Sequence, residues 1–440
     1  MKILVVDNYG ESALDWCLRC IDAGHKVRWH IAPNPRSEHV GRGLVERVAD
    51  WRDHMRWADL VFLPDNTKYL RELDAWREKG ARIVGPNVAG AAWELDRDEG
   101  MRVLKRAGIE TPPSKEFSDY DQAIAYVKKR GERLVSKPCG VEGDKSLSYC
   151  SKDAADMVYM LERWKKAGKL KGSFILQDFV PGIEFAVGAW FGPGGFIEGF
   201  EENFEHKPLM DKDVGPNTGE QGTVQRFVRR SKLARMLLQP LESQLEEIGY
   251  VGCIDVSAII DDRGRPWPLE FTMRPGWPAF NIQQSLQQGD PAEWMADLLE
   301  GRDPRCFEID RVALGVVLSL PDYPYDKRPI DEVIGVPLYG LSPKNLDSVH
   351  PCMMMAGEAP CMAAGKVVNQ RLLCSAGTYV LVATGTGDTV QAAQKAAYRV
   401  VKDLRMPASP MFRSDIGSRL KKALPELQKH GFAEGMQWTT

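Results

Sequence analysis

Over residues 1–95 short apolar runs alternate with amphipathic stretches of helical spacing, and few folds accept that rhythm. "KILVVD" reads as a buried strand, "ESALDWCLRCIDAG" as a helix stopped by Gly24, and "KVRWHI" as a second strand. "TKYLRELDAWREKG" is again helical, set between the strand runs "ADLVFLPD" and "ARIVGP". Strands that each wait for a helix before the next strand pair in parallel, so this part predicts a doubly wound parallel sheet.

Beyond residue 95 the rhythm changes. A helix is predicted from Asp96 to Ala107, then "ERLVSKPCGVEGDKSLSYC" reads as strand, glycine-bearing loop, strand. An amphipathic helix, "AADMVYMLERWKKAG", precedes the strands "SFILQDFV" and "EFAVGAWFG". "EHKPLMDKDVGPNTGEQG" (205–222) shows neither helical nor strand period, and a stretch of that length is expected to be a loop, either functional or disordered. One helix is predicted from about Ser231 to Ile248, followed by the strands "GCIDVSAIID" and "PWPLEFTMR". From about 309 the chain is rich in short strands and turns, closing on the helix "DTVQAAQKAAYRVVKDL". The expected fold class is α/β followed by α+β, in three parts: 1–95, 96–308 and 309–440.

Composition removes several functions. The chain has 440 residues, 43% hydrophobic and 27% charged, enough to bury a full core. Its net charge is -3 with both signs interspersed, so nothing favours a long nucleic acid as partner, without excluding one. No stretch approaches the ~20 apolar residues of a membrane span, and the first apolar run is too short for a signal peptide. The nine cysteines have no zinc-ligand spacing. Cys17 and Cys20 form a C-x-x-C on an apolar helical face, which reads as core packing rather than redox chemistry. The cytoplasm is the expected compartment.

Candidate chemistry lies in five places. Lys137 ends the strand "RLVSK" and precedes a loop with Gly140, Gly143 and Lys145, an arrangement that can cradle polyphosphate or simply turn a hairpin. Gln177, Asp178, Phe179 and Val180 end a strand and Glu184 follows, offering backbone to an adenine edge and a carboxylate to ribose hydroxyls, unless Glu184 is merely exposed. Asp255 and Glu270 stand in apolar strand contexts around an Asp-Asp-Arg-Gly turn. Two buried carboxylates need a cation between them, which suits Mg²⁺ beside phosphate, or else an ion pair with Arg274. The 205–222 loop is the fourth place. Arg97, a cation where the first part hands over to the second, is the fifth.

A lysine strand, a glycine loop, a hinge strand and a carboxylate hairpin, in that order after a doubly wound domain, resemble an ATP-grasp enzyme. The chain is similar over nearly its whole length to the phosphoribosylamine–glycine ligase family. "DKDVGPNTG" is close to that family's signature loop, and "IVGPNVAGAAWEL", "ALGVVLSLPDYP", "GDTVQAAQKAAY" and "RSDIG" match further blocks. The resemblance implies a pre-ATP-grasp domain (1–95), an ATP-grasp domain of two subdomains clamping ATP (96–308, with a lid at 112–185) and a small mixed β C-terminal domain (309–440). It assigns Lys137, Lys145 and Arg97 to the ATP phosphates, with Arg97 standing where the family generally has a lysine. It assigns Glu184 to the ribose and Glu270 to Mg²⁺ or Mn²⁺, with Asp255 a second ligand. The family's Asn at the third metal position is Thr272 here. Asp211, Asp213, Pro216, Asn217, Thr218 and Gly219 would face the substrates, Asn217 and Thr218 touching a reacting group. Arg274, Gly276 and Trp277 would line the carboxylate site.

The departures gather at the substrate end. The family's opening Arg-Glu-His turn reads "DNYGESALDW" here, and its Gly-Pro-Glu-Ala-Pro block reads "LPDNTKYL". Its Arg-Phe-Gly-Asp-Pro-Glu reads "RPGWPAFN", and its Gly-Gly-Met-Gly reads "GEQG". ATP-handling positions are mostly kept and substrate-handling positions mostly changed. The expectation is an ADP-forming carboxylate–amine ligase that works through an acyl phosphate. It would join an amino acid, glycine by default, or another small carboxylate to an amine on a ribonucleotide or nucleobase-like acceptor. The alternatives are a genuine phosphoribosylamine–glycine ligase and a non-catalytic nucleotide-binding relative. Partners are expected to be small molecules, with the chain a monomer or homodimer.

Overall fold

The computed structural model describes residues 1–139, 147–169, 172–325, 331–407 and 409–439. The N-terminal alternation folds as predicted. Its five-stranded sheet is parallel throughout, in the spatial order Glu46–Arg47, Lys26–Ile31, Lys2–Asp7, Leu60–Phe62, Ile83–Val84. Leu14–Asp22 turns Trp16, Cys17 and Cys20 into the core, so the C-x-x-C is packing, and all nine cysteines are free thiols. The helix Arg97–Arg106 begins where Asp96 caps it, its carboxylate accepting from the amides of Asp98 and Glu99.

A separate four-stranded antiparallel sheet forms the expected lid region, in the order Ser114–Phe117, Phe174–Asp178, Leu134–Pro138, Tyr149–Cys150. Its helices Tyr120–Arg130 and Ala154–Lys166 close a core of their own around Phe117, Val127, Leu161 and Phe174. That core is independent of the main one.

Nine strands make the central sheet. Eight run in the order Pro266–Thr272, Gly252–Ile260, Ile183–Gly192, Phe200–Glu205, Gly222–Val228, Val312–Ser319, Tyr379–Gly387, Val349–Pro351, with Gly195–Phe196 attached to Ile183–Gly192. Val312–Ser319 pairs with Gly222–Val228, so the part expected to begin at 309 extends the same sheet. The helix Val390–Asp403 covers this end so closely that a Cβ on Gly385 would lie 2.2 Å from the Ala397 amide nitrogen.

Three local expectations change. The helix predicted over 231–248 is two, Lys232–Leu237 and Glu242–Glu247, because Pro240 breaks the first and sits in a 3₁₀ turn. The 205–222 stretch is not a loop without regular structure: Pro208–Met210 and Val214–Asn217 pair as a short antiparallel hairpin. The chain also continues past the helix at 390–403 into another, Leu420–Lys429. No helix among the described residues is long and apolar enough to cross a membrane.

Candidate active site

One face of the central sheet is polar across five strands. Residues directly opposite one another share a face, and along a strand every second residue returns to it. Asp255 lies opposite both Thr272 and Gly188, and Gly188 opposite Glu201. In the next row Ser257 lies opposite Glu270 and Ala186, and Asn203 opposite Ala186 and Gln225. Glu184 and Glu205 follow two residues further on. Glu184, Glu201, Glu205, Asp255 and Glu270 therefore share one floor, with Lys207 just past the strand and ion-paired to Glu184 at 2.7 Å and Glu205 at 2.8 Å.

Cations meet this floor at Glu270. Arg97, at the start of its helix, reaches Glu270 at 3.2 Å and the Leu269 carbonyl at 3.3 Å, leaving its buried Nε without a partner. Lys137 comes down from the lid and donates to the same Leu269 carbonyl at 3.3 Å. Burial, then the Arg97 charge, brings the Lys137 ammonium down to about 7. Burial alone pushes the Glu270 carboxyl up, but Lys207, Arg97 and Lys137 together outweigh it and hold the group at about 2. These side chains line a cavity of about 470 Å³ between lid, sheet and hairpin, with Asn217, Thr218, Gly219, Thr272 and Arg274 on its other walls. Its excess of cations fits a polyphosphate. A half-exposed, ionised Glu270 fits a divalent cation, since Mg²⁺ is commonly held by one or two carboxylates plus substrate phosphates.

Asp255 belongs to a neighbouring space. It accepts from Asn203 Nδ2 at 2.9 Å and, with Glu201, Glu205, Thr272 and Gly276, lines a small pocket beside the large cavity. Thr272 borders both. The proposed metal pair thus looks into adjoining spaces rather than one. The ion pair with Arg274, the other reading of these carboxylates, is absent: Arg274 reaches Glu94 at 3.2 Å and Asp65 at 3.3 Å.

The signature hairpin is divided in its duties. Asn217, Thr218 and Gly219 border the cavity, Thr218 donating from its amide and hydroxyl to the Lys207 carbonyl at 2.9 and 2.7 Å. Asp211 and Asp213 instead turn to the C-terminal segment. Asp211 accepts from the Ser414 amide at 2.8 Å, and Asp213 from Arg413 at 2.9 Å. Their carboxylates are used in anchoring, with the turn's Lys212 and Asp213 in the left-handed region. Pro216 lies within the second strand. Asp178 is bonded to Arg130 at 2.6 Å, and the Arg133 guanidinium lies 3.4 Å from the Phe179 ring centroid. Gln177 is buried with Nε2 unpartnered, and Val180 follows the strand. Trp277 packs against Tyr9 and Tyr379 under Arg274, bordering neither space. Gly140, Gly143 and Lys145 lie outside the described residues. Sequence reading missed Glu201, Asn203, Glu205, Lys207 and Arg413. The charge-rich strand "EENFEHK" was the available signal for the first four.

A four-stranded unit with its own core, set over a polar sheet face where lysine, arginine and carboxylate meet, resembles the ATP-grasp arrangement. Residues 100–279 match the family profile described as "Phosphoribosylglycinamide synthetase, ATP-grasp (A) domain". The whole chain resembles phosphoribosylamine–glycine ligase: that of Ralstonia nicotianae is 29% identical, with 95% of this chain and 99% of the relative covered. The crystal structure of the Thermotoga maritima phosphoribosylamine–glycine ligase superimposes with a TM-score of 0.70 at 19% identity, covering 95% of this chain and 100% of that one. A biotin carboxylase domain from Hydrogenobacter thermophilus, crystallised with MgADP and bicarbonate, has the same fold at a TM-score of 0.62 and 13% identity, covering 99% and 96%.

Proposed function

We propose that the protein is an ADP-forming carboxylate–amine ligase that joins a small amino acid to an amine borne by a nucleotide or nucleobase-like acceptor. The coarser statement, an ATP-dependent ligase forming C–N bonds and similar to phosphoribosylamine–glycine ligase, follows from the family match and the full-length relatives. One observation supports the phosphoryl-transfer chemistry above the rest: Arg97, Lys137 and Lys207 converge on Glu270 in a single cavity.

A carboxylate is a poor electrophile, so an oxygen of the acid attacks the γ-phosphorus of ATP and ADP leaves. Lys137 and Arg97 would face the charge that grows on the transferring oxygens and lower the barrier there. Glu270, with Thr272 beside it, would hold the divalent cation, which supplies charge neutralisation between the phosphates. The amine lone pair then attacks the carbonyl carbon of the acyl phosphate. Inorganic phosphate departs, the nitrogen loses a proton, and an amide remains. Asn217–Gly219 border the space in which this happens. The lid over the cavity excludes water that would hydrolyse the mixed anhydride.

Altered specificity is supported by the acids at the first sheet's carboxyl end. Asp7 and Asp65 are buried there, Asp65 paired with Arg274 at 3.3 Å, and each keeps one oxygen unpartnered, which offers an acceptor's hydrogen-bond donors a partner at this end. The end-to-end match to the Ralstonia enzyme favours the second reading, phosphoribosylamine–glycine ligation itself. A matrix of amino acids against amines, read by ADP release and product mass, separates the two. Amide from phosphoribosylamine alone supports the second. ADP formation that ignores the acid, or that survives Glu270→Ala, removes both.

A further inference from the structure

The pocket on the far side of Thr272 from the cavity has a composition that calls for a cation. Glu201, Glu205 and Asp255 are in its lining, and no basic side chain is. Asp255 is 9% exposed and Asn203 3%, yet Asp255 Oδ1 and Asn203 Oδ1 have no hydrogen-bond partner. Among the buried side-chain nitrogens and oxygens of the lining, Gln283 Nε2 is the unpartnered donor, set against three carboxylates. Buried acceptors without donors are costly, so their surroundings must supply positive charge or protons. Lys207, ion-paired to Glu205 of the lining, is already shared with Glu184. Gly188 keeps the space open: a Cβ there would lie 3.1 Å from Asp255 Oδ2 and 3.3 Å from the Ile254 carbonyl.

Size and spacing narrow the occupant. The pocket measures about 20 Å³, room for one water-sized group. A bare divalent ion needs oxygens converging at about 2.0–2.6 Å. Among the described residues the one set of three such groups whose ligand atoms lie within 4.8 Å of one another is Asp98, Glu116 and Cys139, elsewhere in the fold. An ammonium, bonding at about 2.8 Å, accepts a wider ring of oxygens.

We propose that the pocket walled by Glu201, Asn203, Glu205 and Asp255 binds the protonated amino group of the acid that the enzyme activates. That acid is then a short amino acid spanning Thr272, its carboxylate on the Glu270 side and its ammonium in the acidic pocket. The inference rests on the ligase reading above. It also sets which end of the substrate meets which space: one ammonium fills the pocket, leaving no room there for a side chain.

The test uses the full chain with ATP, Mg²⁺ and the amine that the matrix above selects. Glycine, glycolate and acetate are compared in wild type, Asp255→Asn and Glu201→Gln. Loss of a charge-assisted bond to the ammonium should raise the KM for glycine about 10- to 100-fold while the KM for ATP moves by less than about threefold. The preference for glycine over glycolate should shrink in both variants. Equal turnover of all three acids by the wild type, or a rise in the ATP KM with glycine unaffected, overturns the inference and leaves the ligase reading standing. Absence of ADP release with every acid overturns the ligase reading instead. In that event calorimetry on the protein with a non-hydrolysable ATP analogue decides separately: glycine and methylammonium should compete for one site that Asp255→Asn weakens. K⁺ or NH₄⁺ that binds there without displacing glycine marks a resident monovalent ion and overturns the proposal.

Discussion

Arg413→Ala should unfasten the signature hairpin without unfolding the protein. Arg413 is 1% exposed, and it donates to Asp213 at 2.9 Å, to the Pro208 carbonyl at 3.0 Å, and to Asp415 at 2.8 and 3.0 Å. Bonds to charged groups contribute roughly 1.5–3 kcal/mol each in stability measurements. Asp213 and Asp415 keep 45% and 26% of their side-chain surface, so water recovers much of their share when the guanidinium is removed. A net cost of about 2–3 kcal/mol remains, spread over the hairpin's anchorage. The hairpin has no core of its own to absorb that loss, with Met210 and Val214 at 55% and 58% exposure. Its closed population should therefore fall, and kcat/KM with it, by about 10- to 100-fold. Hydrogen exchange at the Thr218 amide, bonded to the Lys207 carbonyl at 2.9 Å, reports the opening directly. Arg413→Lys keeps the charge but loses the fork, and should fall between. Unchanged exchange at Thr218 with kcat/KM within about twofold of wild type would refute the reasoning, since the hairpin would then be held by its other contacts.

Three further outcomes follow from the same floor. Lys137 has a free-protein value near 7 against an ordinary 10.5, and bound polyphosphate favours its charged form; nucleotide binding at pH 8 should take up protons, and affinity should weaken as pH rises past 7, a dependence that calorimetry in paired buffers should find absent in Lys137→Arg. Gly188→Ala should push Asp255 from its bond to Asn203 and raise the KM for the amino acid while sparing that for ATP, as measured by ADP release. Arg226→Met should cost about 3–5 kcal/mol in urea unfolding, because Glu202, 3% exposed and paired with Arg226 at 2.8 Å, would be left as a buried lone charge; the substrate KM values should hold, since Glu202 points away from the floor.

The N-terminal sheet was legible because its strands are buried on both faces and read as apolar runs. The antiparallel pairing of Gly252–Ile260 with Pro266–Thr272 was equally plain from the turn between them. The acidic pocket was not. Glu201, Asn203 and Glu205 alternate with Glu202 and Phe204, and Glu202 is buried against Arg226 on the other face, so the strand shows no clean polar–apolar period. The partners of Arg274, Asp65 and Glu94, stand far earlier in the chain, Glu94 by 180 residues, beyond any local pattern. Asp213 and Arg413 are likewise 200 residues apart, so the hairpin's acids read as substrate contacts when their partner was a distant arginine. The break at Pro240 was readable and was overridden by the helical spacing on either side of it.

The most direct test follows oxygen from the acid. With the acid labelled in its carboxylate with oxygen-18, and ATP, Mg²⁺ and the amine supplied, one labelled oxygen should appear in the inorganic phosphate for every amide formed. Label retained wholly in the amide and unreacted acid, with phosphate unlabelled, would show that no bond joins the carboxylate to the γ-phosphorus, and would contradict the account at its centre.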